Sequence, residues 1–306
     1  MTEAPDVSIV IVTYNGCDFV RRCLTSVYEH TRDIAFEVIA VDNASTDGTP
    51  DMIAAEFPQV ALVRRSMNAG FAAGVNDGIR RARGDSFFIL NPDAVLEQNV
   101  LPPMLGYLAQ HSDIGLLAPK LLDASGAVQL SCRAFPGFGT ALFNRYSLLT
   151  RLFPANSASS RYLMSTFDHD AIADVDWVSG ACWLLARSAF EAAGSLDKAY
   201  FWSIEDVDYC QRVHRAGLRV VYFPDVSVTH RIGGSSASAP TRAIVARHRG
   251  MWRYYRSYLR PRNVAPAVAL DLLGLGGITL RCAAQLLVNA LRRRSAQSRS
   301  ATSTGM

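Results

Sequence analysis

Four short stretches carry the residues that could do chemistry. In "FFILNPDAVL" (87–96) an apolar run enters Asn91-Pro92-Asp93 and then resumes. Pro92 stiffens the chain and stops the strand, so Asp93 is presented at its end. Carboxylate oxygens are the donors that Mg2+ or Mn2+ takes, usually with waters and substrate phosphates; a helix cap or turn residue is the plainer reading of Asp93. Glu205, Asp206 and Asp208 fall in the first turn of a helix predicted over about 205–216. Acids are common there for dipole reasons. The same dipole is expected to keep a carboxylate ionised, as a general base must be. His230 closes a strand-like run. A lone histidine is more often structural, but neutral imidazole is also a nitrogen ligand for Mn2+ or Mg2+ beside an aspartate. Asp42 ends another strand, where it can form an Asx turn or accept the imide N–H of a uracil or thymine ring.

Two further features bear on binding. "NAGFAAGVNDG" (68–78) places small residues ahead of a helix, where backbone can approach a ligand and a helix N-terminus favours phosphate; an ordinary strand-to-helix loop is the alternative. Phe201-Trp202 and Trp177 are aromatics of the type that wall a sugar site. No GxxxxGK[ST], GxGxxG or GxSxG pattern is present.

These residues need elements to hold them. "VSIVIVTYN" (7–15) is a continuous β-branched run of the kind buried on both faces of a parallel sheet. A helix over 18–30 follows, then a strand over 36–43. A helix comes next, capped by Thr46 or Asp47 with Pro50 in its first turn, then a strand over 60–65, a helix over 73–83 and a strand over 86–91. This alternation predicts an α/β domain with a doubly wound, mostly parallel sheet, whose ligand sits at the carboxyl ends of the strands. Those ends are Thr13-Tyr14-Asn15, Asp42-Asn43, the residues after Arg65, and Asn91-Pro92-Asp93. Residues 120–175 are less regular, with loop-like "AFPGFG" and "NSASS", and read as an acceptor-side insertion or a flexible segment. A helix over 187–193 and a strand pair or bent strand over 218–230 complete the body. Gly217 is expected to stop the helix before it.

Charge is divided unevenly. The 306 residues are 49% hydrophobic and 19% charged, with net charge +4. Twelve arginines against one acid, Asp271, put +11 on the stretch from Arg242 onward, which leaves −7 on the first 241 residues. An acidic body with a basic tail points to an anionic surface facing the tail. The six scattered cysteines form no CxxC pair and read as reduced thiols. The start has no basic n-region, so no signal peptide is expected. The longest tail run, "LLGLGGITL" (272–280), falls short of the roughly 20 residues a spanning helix needs. The tail, basic and partly amphipathic, reads either as one or two helices packed on the catalytic domain with a disordered end, or as an interfacial segment docking on anionic lipid.

Read together, "VSIVIVTYNG", "VIAVDNASTDGT", "NAGFAAGVNDGI", "FILNPDAVL", "DWVSGACWLLAR", "IEDVDYCQRVHRAG" and "VSVTHRIGGSS" resemble, in order and over about residues 7–236, the inverting family 2 glycosyltransferases of GT-A fold. The similarity is greatest to their bacterial rhamnosyltransferase-like branch. The resemblance implies a catalytic domain over 1–240 and an extension over 241–306. It implies a nucleotide-diphosphate sugar donor, best dTDP-rhamnose and otherwise a UDP-hexose. The acceptor would be a hydroxyl of a cell-surface glycan or lipid-linked molecule, the place cytoplasmic, at the inner face of the membrane. Thr13, Tyr14, Asn15 and Asp42 would bind the base, and Asn68, Gly70 and Asn76 the ribose and diphosphate. Asp93 would match the last carboxylate of a DxD metal motif, with His230 completing a Mg2+ or Mn2+ site. Asp206 would be the catalytic base beside Glu205, and Trp177 and Trp202 would line the acceptor side. Asn91 departs from the pattern, standing where the motif has its first aspartate.

Three rivals compete. A sugar-1-phosphate nucleotidyltransferase would carry a Gly-rich basic loop after its first strand, which "TYNGCDF" lacks. A nucleic-acid binder is at odds with the acidic body. An inactive nucleotide-sugar binder differs only in turnover.

Overall fold

In the computed structural model, which describes residues 4–137, 162, 164, 167–231 and 240–303, four strands start the sheet. These are β1 (Val7–Thr13), β2 (Phe36–Asp42), β3 (Ala61–Arg64) and β4 (Ser86–Leu90). They pair in parallel in the order β3-β2-β1-β4. All of β1 is buried, as its unbroken apolar run requires. Between the strands lie α1 (Cys17–His30), α2 (Thr49–Glu56) and α3 (Phe71–Arg81). Two glycines expected to bring backbone near a ligand have another task. A Cβ on Gly74 or Gly78 would collide with Val12 or Val10, so these positions let α3 lie directly on β1.

Beyond β4 the sheet becomes mixed, because the next partner runs the other way. β10 (Cys182–Ala186) is antiparallel to both β4 and β6 (Ile114–Leu122). β11 (Arg219–His230) is parallel to β6, and β5 (Ala94–Val95) is antiparallel to the end of β11. The short β8 (Ala173–Asp174) also pairs with β11, while β7 (Cys132–Arg133) and β9 (Trp177–Val178) form a separate ribbon. The parallel, doubly wound arrangement thus holds for the first half of the sheet. β11 is one strand rather than two, bent at a register shift between Phe223 and Ser227 where Pro224 has no N–H to give. Around this half lie α4 (Leu101–Gln110), α5 (Arg187–Ala193) and α6 (Glu205–Arg215). Gly217, with φ +80, ends α6 as expected.

The chain divides into two compact units, Met1–Lys198 with Glu205–Ser235, and Ala199–Ile204 with Ser236–Met306. The second contains α7 (Pro240–Tyr254), a π-helical turn (Tyr255–Leu259) and α8 (Val264–Ser303). α7 and α8 run antiparallel, joined by Arg260 to Asp271 at 3.0 Å and by Asn289 to Thr241 at 3.2 Å. Three α7 arginines cover the aromatics of the short segment: Arg253 over Tyr200, Arg242 over Phe201 and Arg247 over Trp202.

α8 corrects two expectations. The helix continues to Ser303 through the stretch expected to be disordered, since no Gly or Pro interrupts it after Gly277. Its segment Val264–Leu291 is also long and apolar enough to cross a membrane by length and composition, with 6% of that window buried. The break seen in sequence at Asp271 and Arg281 is bridged in space. Asp271, Arg281, Gln285 and Asn289 are half-buried, and Asp271 and Asn289 bond residues of the α7 hairpin, whereas Leu272, Leu273, Leu280 and Leu287 are exposed. The loop "NSASS" and the Gly-Gly pair after His230 lie outside the described residues.

Candidate functional site

Parallel pairing sets Thr13 beside Asp42 at the ends of β1 and β2. Both are buried. Thr13 Oγ1 donates to Asp42 Oδ1 at 3.0 Å, and the Ser45 N–H donates to Oδ2 at 2.9 Å. Each oxygen keeps a second lone pair for a ligand. Tyr14 follows, half-buried. Asn15 takes a left-handed conformation (φ 55) and locks the two loops together: its N–H donates to Ser45 Oγ at 2.7 Å, and its Oδ1 accepts from the Thr46 N–H at 2.9 Å. Asp47, expected to cap its own helix, also reaches across to the Gly16 and Cys17 N–H groups at the start of α1. Partial burial pushes its carboxyl up, but these bonds and those from Thr49 outweigh burial and hold it below the ordinary range. A third loop is tied in by Asn43 Nδ2, which donates to the Gly70 carbonyl at 3.2 Å, while Asn68 Oδ1 accepts from the Gly70 N–H at 3.0 Å. Asn43 Oδ1, at the strand end that the sequence pointed to, is buried without a hydrogen-bond partner among the described residues.

Asn76 does not join this group. Its amide donates to the Leu196 carbonyl at 2.8 Å and accepts from the Leu196 N–H at 2.9 Å. Leu196 engages both ends of the amide, so Asn76 ties α3 to the segment before α6.

Asp93 and His230 do come together. β4 gives way to a turn at Asn91-Pro92-Asp93, anchored by the Asn91 N–H to the Ala181 carbonyl at 2.9 Å. β5 then pairs with the end of β11, setting His230 opposite Ala94, and the Arg231 N–H donates to the Asp93 carbonyl at 3.0 Å. As a result Asp93 Oδ1 lies 3.3 Å from His230 Nε2, with both residues buried. Asp93 Oδ1 has no hydrogen-bond donor among the described residues. Two ligand atoms about 2.1 Å from one octahedral ion, at right angles, stand about 3 Å apart. The pair therefore fits two adjacent positions of a Mg2+ or Mn2+ shell. No cluster of three His, Cys, Asp or Glu residues occurs among the described residues, so further ligands would be waters or substrate oxygens. His230 Nδ1 meets Gln129 Oε1 at 3.1 Å, a contact with no sequence signal because Gln129 lies far away in a polar turn.

Glu205 and Asp206 open α6. Just before them, Ser203 (φ 68) and Ile204 (φ 76) sit in the left-handed region. A β-branched residue there is strained, and such strain gathers at functional sites. Asp206 Oδ1 accepts from the Val207 N–H at 2.9 Å, and Oδ2 from the Gly180 N–H at 3.4 Å. Burial raises the Asp206 carboxyl above its ordinary value, against those bonds and the charge of Arg133. Burial, with the charge of Asp206 next, pushes Glu205 much further up, and its Oε2 is buried with no partner among the described residues. The helix dipole expected to hold these acids ionised is thus outweighed by desolvation. Of the two, Glu205 is held to its proton more tightly than Asp206. Asp208 instead braces the helix through Arg212 at 3.1 Å.

Trp177 differs from expectation. Trp177 is buried, with its indole N–H donating to the Ala134 carbonyl at 2.8 Å and the Arg133 guanidinium 5.6 Å from its ring centroid. It is an anchor with one face covered by Arg133. Trp202 belongs to the second unit, under Arg247. Arg133 and Gly180, which sequence reading missed, are the neighbours that act on Asp206.

The family described as glycosyl transferase family 2 matches residues 8–120, which contain the Asp42 and Asp93 strand ends. Residues 8–120 form a family 2 glycosyltransferase domain, and the chain is a glycosyltransferase. An N-acetylglucosaminyl-diphospho-decaprenol L-rhamnosyltransferase of Mycobacterium tuberculosis is similar to this glycosyltransferase, 29% identical over 255 residues, covering 80% of this chain and 82% of its own. The succinoglycan biosynthesis protein ExoO of Rhizobium meliloti is 31% identical over 149 residues, 48% of this chain and 41% of its own. Among solved structures, the mannosyltransferase PcManGT from Pyrobaculum calidifontis, in complex with GDP-Man and Mn2+, superposes with TM-score 0.53 at 18% identity, over 95% of this chain and 76% of that one. GalNAc-T7 with UDP, GalNAc and Mn2+ gives 0.56 at 15% identity, over 90% of this chain and 55% of that one. These likenesses establish the fold of this glycosyltransferase as GT-A.

Proposed function

We propose that this enzyme transfers a sugar, with inversion, from a nucleotide-diphosphate donor to a hydroxyl of a lipid-linked or cell-surface glycan acceptor. The observation that carries the reading is the half-buried Asp206 at the start of α6, held by the Val207 and Gly180 N–H groups and raised by burial above its ordinary value. That makes it a stronger base than a free aspartate while leaving it ionisable. Asp206 takes the acceptor hydroxyl proton as the oxygen attacks the anomeric carbon from the face opposite the departing nucleoside diphosphate. Glu205, uncharged, adds no second negative charge beside the base. Asp42, with Thr13, Tyr14 and Asn15, receives the pyrimidine imide, and Asn68 and Gly70 lie along the ribose and diphosphate. Asp93 and His230 hold Mg2+ or Mn2+, which when bound supplies positive charge against that building on the diphosphate.

Similarity to an L-rhamnosyltransferase favours dTDP-rhamnose as the donor, with UDP-hexoses next. A donor screen by thermal shift, with and without Mn2+, tests this. dTDP-rhamnose is expected to give the largest rise, enlarged by Mn2+. No rise with any nucleotide sugar would refute the donor reading.

The second unit supports a place at the inner face of the cell membrane. α8 turns its polar residues toward α7 and Leu272, Leu273, Leu280 and Leu287 outward, the reverse of a helix meant for water. Over 28 residues it is about 42 Å long against an acyl core of about 30 Å. Full-length protein is expected to co-sediment with anionic vesicles and a truncation after residue 262 to stay in the supernatant. Equal, negligible sedimentation of both would remove the membrane from the reading.

A further inference from the structure

The contact between His230 and Gln129 decides more than the position of a ring. Gln129 leaves a hairpin that turns back from β6. The Leu122–Val128 bridge closes that hairpin, and the Asp123 carboxylate steadies it by accepting from Ser125 and Ala127. The Gln129 backbone N–H donates to the Leu121 carbonyl at 2.8 Å, which holds the residue at the edge of the sheet. Its side-chain Nε2 is hydrogen-bonded to the His230 carbonyl and lies 3.2 Å from the Leu122 carbonyl. Both are acceptors only, so the amide nitrogen must face them and Oε1 must face the imidazole. An amide oxygen has no proton to give. His230 Nδ1, 3.1 Å away, therefore carries the N–H and donates it. In the neutral ring this leaves the lone pair on Nε2, aimed at the undonated Asp93 Oδ1 3.3 Å off. Two electron-rich atoms held face to face in a buried place call for a cation between them.

We propose that Gln129 is a positioning residue for the metal site. It fixes His230 as the Nδ1–H tautomer, so that Nε2 is the ligand atom offered beside Asp93. A metal-bound histidine commonly donates its other ring N–H to such an outer partner, and losing that partner typically costs about 10–100-fold in metal affinity. The amide is suited to this site because it does three jobs at once. Two of its hydrogens satisfy or approach backbone carbonyls, one of them that of His230 itself, while its oxygen takes the imidazole proton. Ring and backbone of the ligand residue are thus held by one side chain. The inference rests on the metal reading above, but the tautomer can be read without any metal.

The test uses full-length protein with nitrogen-15-labelled histidine and two variants, Gln129→Met and Gln129→Glu. Met keeps the length and removes the acceptor; Glu keeps an acceptor. Nitrogen-15 NMR of the metal-free wild type is expected to show His230 with its proton on Nδ1. Gln129→Met is expected to shift the proton toward Nε2 and weaken Mn2+ binding, measured by electron paramagnetic resonance with dTDP present, by about 10–100-fold. Gln129→Glu is expected to restore the Nδ1–H signature and most of the binding. If Gln129→Met, folded as judged by circular dichroism, leaves both tautomer and Mn2+ binding unchanged, the proposal is overturned. A wild type that binds no Mn2+ yet shows the Nδ1–H tautomer, lost in Gln129→Met, would overturn the metal reading alone. A proton on Nε2 in the wild type would overturn the role of Gln129.

Discussion

At the end of β4, Asp93 faces an electron-rich imidazole nitrogen 3.3 Å away; at the start of α6, Asp206 lies beside a second acid and against two backbone N–H groups. Both carboxylates are drawn in from water, yet their surroundings set different tasks. The Asp93 oxygen has no donor among the described residues and a ligand-type neighbour, an arrangement that a cation would complete. Asp206 has donors, a distant guanidinium and a neighbouring acid that holds its proton more tightly, and burial raises its affinity for a proton. On the proposed reading the same side chain serves as a metal ligand in one place and a base in the other, because what faces it, more than how deeply it is buried, decides which positive species it will hold.

The contrast predicts separable losses. Asp206→Asn is expected to have the largest effect, lowering turnover by about 10²–10⁴-fold while Mn2+ and nucleotide binding stay near wild type. Turnover equal to wild type would refute the base assignment, and a parallel loss of Mn2+ binding would erase the distinction between the two sites. His230→Ala should do the reverse. It is expected to weaken Mn2+ binding by more than the roughly 10–100-fold that losing an outer partner costs, with the pH profile of the remaining activity unmoved. Calorimetric titration of Mn2+ in the presence of dTDP checks this.

Glu205→Gln should have the smallest effect, and a favourable one on stability. The folded pKa of Glu205 lies above its unfolded value, so the native state holds the proton more tightly than the unfolded one. Stability from this group is fully present in acid, below the ordinary carboxylate range. It falls as pH rises through the window up to the folded value. Glutamine copies the protonated form at every pH. The variant should therefore melt a few degrees above wild type at neutral pH, with the gap closing near pH 4. A gap that widens in acid would reverse the assigned protonation order.

Much of this was legible in the chain. β1 could be read from "VSIVIVT" because a strand buried on both faces leaves no alternation, and α6 from its acidic first turn and Gly217 stop. The strand-end rule then placed Thr13, Asp42 and Asp93 at one edge. Residues whose role depends on a partner far along the chain were misread or missed. Gly74 and Gly78 suggested backbone near a ligand, yet serve the contact of α3 with β1, and Asn76 is consumed by Leu196. Gln129 and Arg133 carry no local pattern at all. In α8, Asp271 and Arg281 looked like the ends of an apolar run, and only packing against α7 shows Asp271 held by Arg260.

The sequence by itself determined the elements and which carboxylates end up at strand and helix ends, because periodicity and turn residues act over a few neighbours. Only the tertiary structure decided what each carboxylate faces. The antiparallel pairing of β5 with β11 brings His230 to Asp93, a hairpin from β6 brings Gln129 to His230, and burial at α6 overrides the helix dipole. Proton and metal affinities follow from those through-space neighbours and from the water they displace, and neither is written in the spacing of residues along the chain.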